Sequence, residues 1–202
     1  MKFSLEHLSK YRKWILFLLI LFLFFVYFDK GIMLFIKNVR LAYPEEFAYL
    51  KIFNNFIERA YRVFIAISVI LGFYNLFSKI QKEKGIKIIL GMVIVGILSQ
   101  VKYLLGRARP KITYETIFTG PSKEYVYASF PSGHTFFIFA MARIYSHIYP
   151  KYRIFFYAFA ILVALERLLN FAHFPSDLIA GAFLGVCLGN IIISKTSKKL
   201  KD

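Results

Sequence analysis

Most residues in this sequence that can do chemistry fall in three short stretches. They read KYLLGRARP at 102–110, PSGH at 131–134 and RLLNFAHFPSD at 167–177. Together they supply two histidines, one aspartate and at least three cations beside long apolar runs. Fixed cations in a partly dry site indicate an anionic ligand, and arginine matches phosphate oxygens through paired hydrogen bonds. The stretches therefore predict a site for a phosphate-bearing substrate.

His173 and Asp177 lie four residues apart across a predicted helix start. Asp177 can accept the proton of one imidazole nitrogen, which fixes the tautomer and leaves the other nitrogen of His173 free to attack. His134, in another loop, suits a general acid that protonates a leaving oxygen. This layout favours phosphoryl transfer without a metal, since no carboxylate cluster near it would hold Mg²⁺. We expect no metal and no cofactor.

Two similar phrases, FPSG and FPSD, stand where two apolar runs begin. Ser132 is a good N-cap residue, and Pro175 suits the first turn of a helix. The N-terminus of a helix offers free N–H groups and a partial positive charge to an anion. Gly133 would let a ligand approach the backbone closely. Both helix starts are predicted anion sites.

The apolar runs set the fold class. The chain has 202 residues, of which 58% are hydrophobic, well above the content of soluble domains. Runs near the roughly 20 residues of a membrane span predict an all-α integral membrane protein with about six transmembrane helices in one domain, 1–202. The first run is read as a retained span because no small-residue cleavage site follows it. The predicted spans are 14–28, 61–77, 86–105, 132–149, 154–169 and 175–194.

Apolar and charged residues are interleaved between the first two spans, at 29–60. This pattern is typical of helices that lie along the membrane interface. We therefore predict interfacial helices that cover the site. Further along, Gly181, Gly185 and Gly189 form a small-residue stripe on the last span, which predicts close packing within the chain. The lone Cys187 excludes an intramolecular disulfide.

The basic residues predict the orientation in the membrane. The net charge is +16, and its clustering beside apolar runs argues against nucleic-acid binding. With six spans, the main clusters share one side, which the positive-inside rule makes cytoplasmic. The prediction is a cytoplasmic (inner) membrane protein with both termini in the cytoplasm and the site facing the periplasm. The clusters contain Lys2, Lys10, Arg12, Lys13, Lys79, Lys82, Lys84, Lys87, Lys151, Arg153, Lys195, Lys198, Lys199 and Lys201.

The three stretches together resemble the signature of the type 2 phosphatidic acid phosphatase (PAP2) family. That signature is Lys, six residues, Arg-Pro; then Pro-Ser-Gly-His; then Arg, five residues, His, three residues, Asp. The matching residues span 102–177, in the same order and with the same internal spacing. They are Lys102, Arg109, Pro110, Pro131, Ser132, Gly133, His134, Arg167, His173 and Asp177.

The resemblance implies a six-helix, acid-phosphatase-like bundle and a role for each matched residue. His173 would form a phosphohistidine, His134 would protonate the leaving group and Asp177 would orient His173. The implied phosphate-binding residues are Lys102, Arg109, Arg167, Ser132 and Gly133. The family usually has serine before the third-motif arginine, whereas this chain has Glu166. We expect Glu166 to form an ion pair with Arg167 or Lys102.

The wording of the motifs is most similar to bacterial lipid phosphatases. Arg107, Lys111 and Lys123 near the site suit a large, multiply anionic headgroup, with Arg107 as a possible headgroup contact. This favours a lipid A 1-phosphatase; phosphatidylglycerophosphate and undecaprenyl pyrophosphate phosphatases are the alternatives. The expected partners are the lipid substrate and the bilayer. A phosphate-binding lipid transporter and a non-catalytic scaffold are the rival classes.

Overall fold

The computed structural model of the chain describes residues 5–198, and the side chains of residues 11–197. Every regular element in this part is helical, which confirms the predicted all-α class. Lys2, Lys199 and Lys201 of the orientation prediction lie outside the described residues. The helices are α1 (Leu5–Leu23), α2 (Asp29–Ala42), α3 (Pro44–Phe77), α4 (Lys82–Leu98), α5 (Lys102–Leu105), α6 (Gly133–Ile148), α7 (Arg153–Leu169) and α8 (Pro175–Lys198).

The first helix does not end where the sequence predicted. A π-helical turn, Phe24–Phe28, joins α1 to α2, so the chain stays helical from residue 5 to residue 42. No proline interrupts this run, and it ends at Tyr43, immediately before Pro44, because a residue before proline disfavours the helical conformation. The predicted break after residue 28 is therefore wrong.

Residues 44–60, predicted as part of a separate interfacial segment, are the first half of α3. This helix is 34 residues long and has Pro44 in its first turn, a position that proline suits. Side chains of α2 do cover the third motif, because Met33 and Ile36 pack against Phe171 and Phe174. The segment thus packs against the third motif, as parts of two long helices, and its role as a cover of the site stays a prediction.

Four helices in the described residues are long and apolar enough to cross a membrane. They are Tyr11–Ala42, Pro44–Phe77, Lys82–Leu105 and Pro175–Ser197. Helices α6 and α7 have 16 and 17 residues, slightly fewer than the roughly 20 of a typical span. The chain is a multi-pass membrane protein by these helices, and the count of six spans stays a prediction.

Helix α6 is the centre of the bundle and packs against α4, α7 and α8. The glycine stripe of α8 makes this approach possible. A Cβ on Gly185 would lie 2.5 Å from the carbonyl oxygen of Phe136, and one on Gly181 would lie 2.8 Å from that of Ser132. The predicted close packing within the chain is confirmed, and it brings the start of α8 beside the start of α6.

The connection 106–132 places the first motif above these helix starts. Gly106 ends α5 with a φ of +65°, a conformation that glycine adopts without strain. Its own N–H donates to the Lys102 carbonyl, 3.1 Å away, and its carbonyl accepts from Thr119 N–H, 2.9 Å away. The chain therefore turns back at once and carries the following RARP segment to the site.

Candidate active site

The three predicted stretches meet at one end of the bundle. The N–H of Ser132 in the second stretch donates to the carbonyl of Asp177 in the third, over 3.1 Å. The guanidinium of Arg109 in the first stretch donates to the carbonyl of Ala172 in the third, over 2.9 Å. The bonds fix the stretches relative to one another, so the structure does bring the sequence-predicted residues together.

His173 is buried in the connection between α7 and α8 and faces Asp177. Its Nδ1 atom lies 3.5 Å from Asp177 Oδ2 and 3.5 Å from the hydroxyl oxygen of Ser129. Asp177 Oδ2 also accepts hydrogen bonds from the Ser129 hydroxyl, at 2.6 Å, and from Phe174 N–H, at 2.8 Å. These bonds fix the carboxylate beside Nδ1 and leave Nε2 on the opposite side of the ring.

Burial decides the protonation state of His173. It lowers the pKa of His173 from the ordinary 6.5 to about 4, because the charged ring loses its hydration and the bond to Asp177 offsets only part of that loss. A neutral imidazole therefore prevails at neutral pH. A neutral ring with one nitrogen facing a carboxylate has a lone pair on the other nitrogen, which is what a nucleophile requires.

Arg109 ties the loops together around His173. Its three nitrogens donate to the carbonyls of Tyr125 (2.9 Å), Ala172 (2.9 Å) and Ala128 (2.8 Å), and its guanidinium lies 3.8 Å from the centroid of the Tyr125 ring. A guanidinium has five N–H groups, so two remain for a ligand. The guanidinium also faces the imidazole ring of His173, because Arg109 Nη1 lies 3.5 Å from His173 Nε2.

The start of α6 forms the second wall of the site. The Ser132 side chain caps the helix by accepting from the N–H and the hydroxyl of Thr135, as the N-cap prediction required. A Cβ on Gly133 would lie 3.4 Å from Lys102 Nζ, so the ammonium group lies against the backbone of the first turn. The Lys102 ammonium group and the N-terminus of α6 can therefore bind the same anion.

His134 follows on the first turn of α6. Its ring lies 4.8 Å, centroid to centroid, from the ring of Tyr61 on α3, in a tilted arrangement. This contact packs the imidazole against α3. The structure places His134 at the same end of the bundle, and its role as general acid stays a prediction.

Arg167 is held by carboxylates near the end of α7. It forms two hydrogen bonds with Glu166, one of them of 2.5 Å between Nη2 and Oε1, and Glu58 of α3 lies 3.6 Å from Nη2. The expected ion pair of Glu166 therefore forms with Arg167. Glu166 also accepts a hydrogen bond from Asn170, so it orients the guanidinium from a buried, fixed position.

Arg107 is not a headgroup contact, because it is fully buried. Its guanidinium pairs with Asp177 Oδ1 at 2.5 Å and with Asp29 Oδ2 at 2.7 Å. It also donates to the hydroxyl of Ser176, at 2.6 Å. The predicted headgroup contact for Arg107 is therefore wrong. The two carboxylates compensate the charge of the buried guanidinium.

The start of α8 is not open to a ligand either. The N–H of Ser176 donates to Asp29 Oδ1 over 2.9 Å, and the Ser176 hydroxyl donates to Asp29 Oδ2. The prediction that both helix starts receive a ligand is wrong for α8, because a carboxylate of the protein already occupies that N-terminus. The start of α6 has no such carboxylate among the described hydrogen bonds.

Sequence reasoning missed Asp29, Ser129 and Ser176. Asp29 is the first of the charged residues interleaved with apolar ones at 29–60, and an acid directly after an apolar run is itself a signal for a functional or paired group. Ser129 precedes the second motif by two residues and gave no local signal. All three side chains are nearly inaccessible, which only their distant partners explain.

A cavity of about 770 Å³ opens beside Arg167 and runs between α2, α3 and the motif connections. Its volume is in the range of sites that enclose a drug-sized ligand. Four basic side chains line it, against one acidic side chain, Glu58. The basic residues are Arg40, Lys51, Lys111 and Arg167.

Comparison with known proteins gives a consistent family. The PAP2 superfamily matches residues 84–201, more than half of the chain. The chain is 37% identical to a lipid A 1-phosphatase of Rhizobium etli over 98 residues, covering 46% of this chain and 42% of that protein. It is 32% identical to a lipid A 1-phosphatase of Porphyromonas gingivalis over 107 residues, covering 50% of this chain and 21% of that protein. The matched part spans less than half the length of these relatives.

The fold also has a solved counterpart. The chain resembles the crystal structure of Aquifex aeolicus LpxE with a TM-score of 0.60 and 24% sequence identity. The match covers 78% of this chain and 93% of that one. The similarity extends beyond the motif region and supports the arrangement of the helices.

Proposed function

The chain belongs to the PAP2 superfamily, and from this premise we propose that it is a phosphatase that removes a phosphate group from a membrane lipid. The observation that carries the proposal is His173, a buried neutral imidazole whose Nδ1 faces Asp177. The other ring nitrogen is then the nucleophile, and His134 is the acid. The names of the lipid A 1-phosphatases that the chain resembles support the same chemistry.

In the first proposed step, the Nε2 lone pair of His173 attacks the phosphorus atom. The bond between phosphorus and the lipid oxygen breaks, and its electron pair stays on that oxygen. His134, which the anionic phosphate keeps protonated in the substrate complex, supplies the proton that the oxygen takes. Positive charge develops on the His173 ring as the nitrogen–phosphorus bond forms. Asp177, 3.5 Å from Nδ1, stabilises that charge and holds the tautomer.

In the second step, a water molecule releases the phosphate. His134, now neutral, takes a proton from the water, whose oxygen attacks phosphorus as the bond to Nε2 breaks. The electron pair returns to His173 and inorganic phosphate leaves. The same residue acts as acid and then as base, which microscopic reversibility favours for a two-step displacement.

The phosphate oxygens would be bound by two groups of donors. Lys102 and the backbone at Gly133 act from the start of α6, where the Ser132 hydroxyl can also donate. Arg109 acts from the RARP segment and Arg167 from α7. These charges act in a partly dry site, where fixed donors stabilise the developing charge of a transition state most strongly.

We place lipid A first among the substrates. The cavity beside Arg167 is large, and Arg40, Lys51 and Lys111 line it, which suits a bulky anionic headgroup. The names of the relatives give the same ranking. Phosphatidylglycerophosphate and undecaprenyl pyrophosphate remain the alternatives, since the reaction steps are common to all three.

We further propose that the site faces the periplasm from the inner membrane. The support is the distribution of lysine and arginine, which puts the connection between α6 and α7 and that between α3 and α4 on the cytoplasmic side. A cysteine introduced at Lys123 should react with an impermeant thiol reagent in intact cells. Reaction only after lysis would reverse the orientation.

The test of function is phosphate release by purified protein in detergent from a panel of lipids. The panel contains lipid A with a 1-phosphate, phosphatidylglycerophosphate, undecaprenyl pyrophosphate and phosphatidic acid, each with and without EDTA. We expect release from lipid A, unchanged by EDTA and absent in His173→Ala. His147→Ala is the matched control, because His147 lies at the other end of α6, and it should retain activity.

Each arm of this experiment has a contradictory outcome. Release by His173→Ala equal to that of the unmodified protein would exclude His173 as the nucleophile. Loss of release in EDTA, restored by Mg²⁺, would overturn the metal-independent mechanism. No release from any lipid, together with saturable phosphate-lipid binding, would favour a transporter or scaffold.

A further inference from the structure

We propose that Asp29, acting through Arg107, is a positioning residue that keeps the Asp177 carboxylate available to His173. The proposal rests on the phosphatase function proposed above, in which Asp177 orients the nucleophile. Asp29 lies in the N-terminal helical run, outside the residues 84–201 that match the PAP2 superfamily. The reaction centre would then depend on a part of the chain that contains none of the three family motifs.

Successive contacts link Asp29, Arg107, Asp177 and His173. Arg107 Nη2 donates to Asp29 Oδ2 at 2.7 Å, and Nη1 donates to Asp177 Oδ1 at 2.5 Å. The other oxygen of Asp177 lies 3.5 Å from His173 Nδ1. The side chains of both carboxylates and of the guanidinium have no exposed surface, so water does not screen the interactions between them.

Charge balance explains why two carboxylates are needed. A single buried guanidinium opposite Asp177 alone would neutralise it and draw its electron density toward Oδ1. With Asp29 on the other side, Arg107 is shared between two carboxylates. The cluster of Asp29, Arg107 and Asp177, called the Arg107 cluster below, then keeps one net negative charge next to His173. Interactions between buried charges are strong because the surroundings are poorly polarisable. Asp29 therefore controls how much negative charge His173 experiences.

This charge is needed most in the transition state. When Nε2 of His173 bonds to phosphorus, the ring becomes cationic and the hydrogen bond from Nδ1 to Asp177 strengthens. A cluster with one net negative charge stabilises that cation, whereas a neutral cluster does so less. The expected effect of Asp29 is therefore on the rate of the chemical step and not on the binding of the lipid.

Aromatic rings enclose the guanidinium and hold it in place. The Arg107 Cζ atom lies 4.2 Å from the ring centroid of Phe174 and 4.7 Å from that of Phe25, both distances at which a cation is attracted to the ring face. Phe25 belongs to the π-helical turn that precedes Asp29. The first helix thus supplies a carboxylate and a ring to the same arginine.

The other groups around His173 do not depend directly on Asp29. Asp177 and Ser129 face Nδ1, and Arg109 faces Nε2. Arg167 also acts on the imidazole through its charge. None of these side chains contacts Asp29, so an Asp29 substitution reaches His173 through Arg107 and Asp177.

The first variant is Asp29→Asn, which keeps the shape and removes the charge. We expect kcat to fall about 10- to 100-fold, as is typical when a partner of a reacting side chain is lost, with KM within about threefold. The lower-pH limb of activity should move down by roughly one unit, because a less compensated Arg107 disfavours the protonated His173. Glu115→Gln, an exposed carboxylate near the same helix, is the matched control and should change neither quantity.

A second variant restores the charge of the cluster. In Asp29→Asn with Arg107→Gln, one net negative charge again lies beside His173. We expect the pH limb to return to its original position and the loss in kcat to be at least about fivefold smaller than the product of the two single losses, since contacting residues are not additive. If Asp29→Asn does not fold, the pH limb of the double variant is compared with that of Arg107→Gln alone.

A third measurement does not depend on turnover. The ¹⁵N signals of His173, assigned by their loss in His173→Gln, are titrated in the unmodified protein and in Asp29→Asn. A downward shift of the His173 titration supports the proposal even if no lipid in the panel is hydrolysed, which would contradict only the proposed function. Unchanged titration, pH limb and kcat in folded Asp29→Asn would overturn the proposal while leaving the phosphatase function intact.

Discussion

The same three residues, Phe-Pro-Ser, stand at the starts of α6 and α8, yet the two N-termini meet different partners. At α8, Asp29 accepts the N–H and the hydroxyl of Ser176, so the anion is part of the protein. At α6, Ser132 caps its own helix and Lys102 lies against the backbone of Gly133, which leaves the N-terminus for a ligand. Similar local sequence therefore gives one helix start that a carboxylate of the protein occupies and one that is left for the proposed phosphate.

What separates the two sites is the origin of the nearest charge. The α8 site receives a carboxylate from the start of α2, whereas the α6 site receives a cation from the start of α5. A helix N-terminus that already has a carboxylate stabilises the fold. One that has a cation beside it attracts an external anion.

The largest expected effect is on stability and comes from removing the carboxylate at the start of α8. Asp29→Leu leaves the Arg107 charge half-compensated and the Ser176 N–H without its acceptor. We expect the free energy of unfolding to fall by about 3–5 kcal/mol, the usual cost of removing one partner of a buried ion pair. Thermal or denaturant unfolding in detergent measures this.

The control for that variant is Glu115→Leu, which breaks the exposed pair with Lys30. An exposed pair contributes at most about 1 kcal/mol, so the control should unfold close to the unmodified protein. Equal stability of Asp29→Leu and Glu115→Leu would show that the carboxylate at α8 is not structural.

The α6 site should respond in the opposite way. Lys102→Met removes the ammonium group beside Gly133, and we expect kcat/KM to fall about 10²- to 10³-fold, as when one transition-state donor is lost. Its unfolding midpoint should change little. Lys79→Met, which changes an exposed lysine in the connection between α3 and α4, is the control. A Lys102→Met variant as active as that control would remove Lys102 from the site.

The pH dependence of kcat/KM tests the protonation state of His173. Because burial lowers its pKa to about 4, the ring stays neutral, and activity persists, until the pH falls toward that value. Two substrates with different phosphate ionisation should therefore share a limb near pH 4. A shared limb near the ordinary histidine value of 6.5 would contradict this assignment.

The smallest effect concerns the spacing of the two helix starts. Gly185→Ala adds a Cβ 2.5 Å from the Phe136 carbonyl oxygen and should cost about 1–3 kcal/mol of stability, as overpacking does. Gly96→Ala is the control, since no atom would lie within 4 Å of its Cβ. Destabilisation of both variants to the same extent would mean that helix contact is not the cause.

The sequence predicted the local features of the site well. The cap at Ser132, the start of α8 at Pro175 and the glycine stripe of α8 all depend on near neighbours or on a fixed helical period. Such features are visible in a single stretch of sequence, and the structure confirms them. The pairing of Glu166 with Arg167 is also a contact between adjacent residues.

The features that the sequence did not predict depend on distant partners. The sequence predicts a headgroup contact for Arg107, because nothing near it in sequence shows that Asp29 and Asp177 enclose it. The continuation of the first helix through Asp29 was missed for a related reason, since its mixed polarity suits burial against the third motif as well as an interface. Only the assembled fold distinguishes these alternatives.

The most direct test of the account is to trap the phosphorylated protein. Rapid quenching with base after mixing with lipid carrying a radiolabelled phosphate should retain label on the chain, because a phosphorus–nitrogen bond resists base and breaks in acid. We predict labelling of the unmodified protein at His173 and no labelling of His173→Gln. Phosphate release without any labelled chain, or label that persists in His173→Gln, would contradict it.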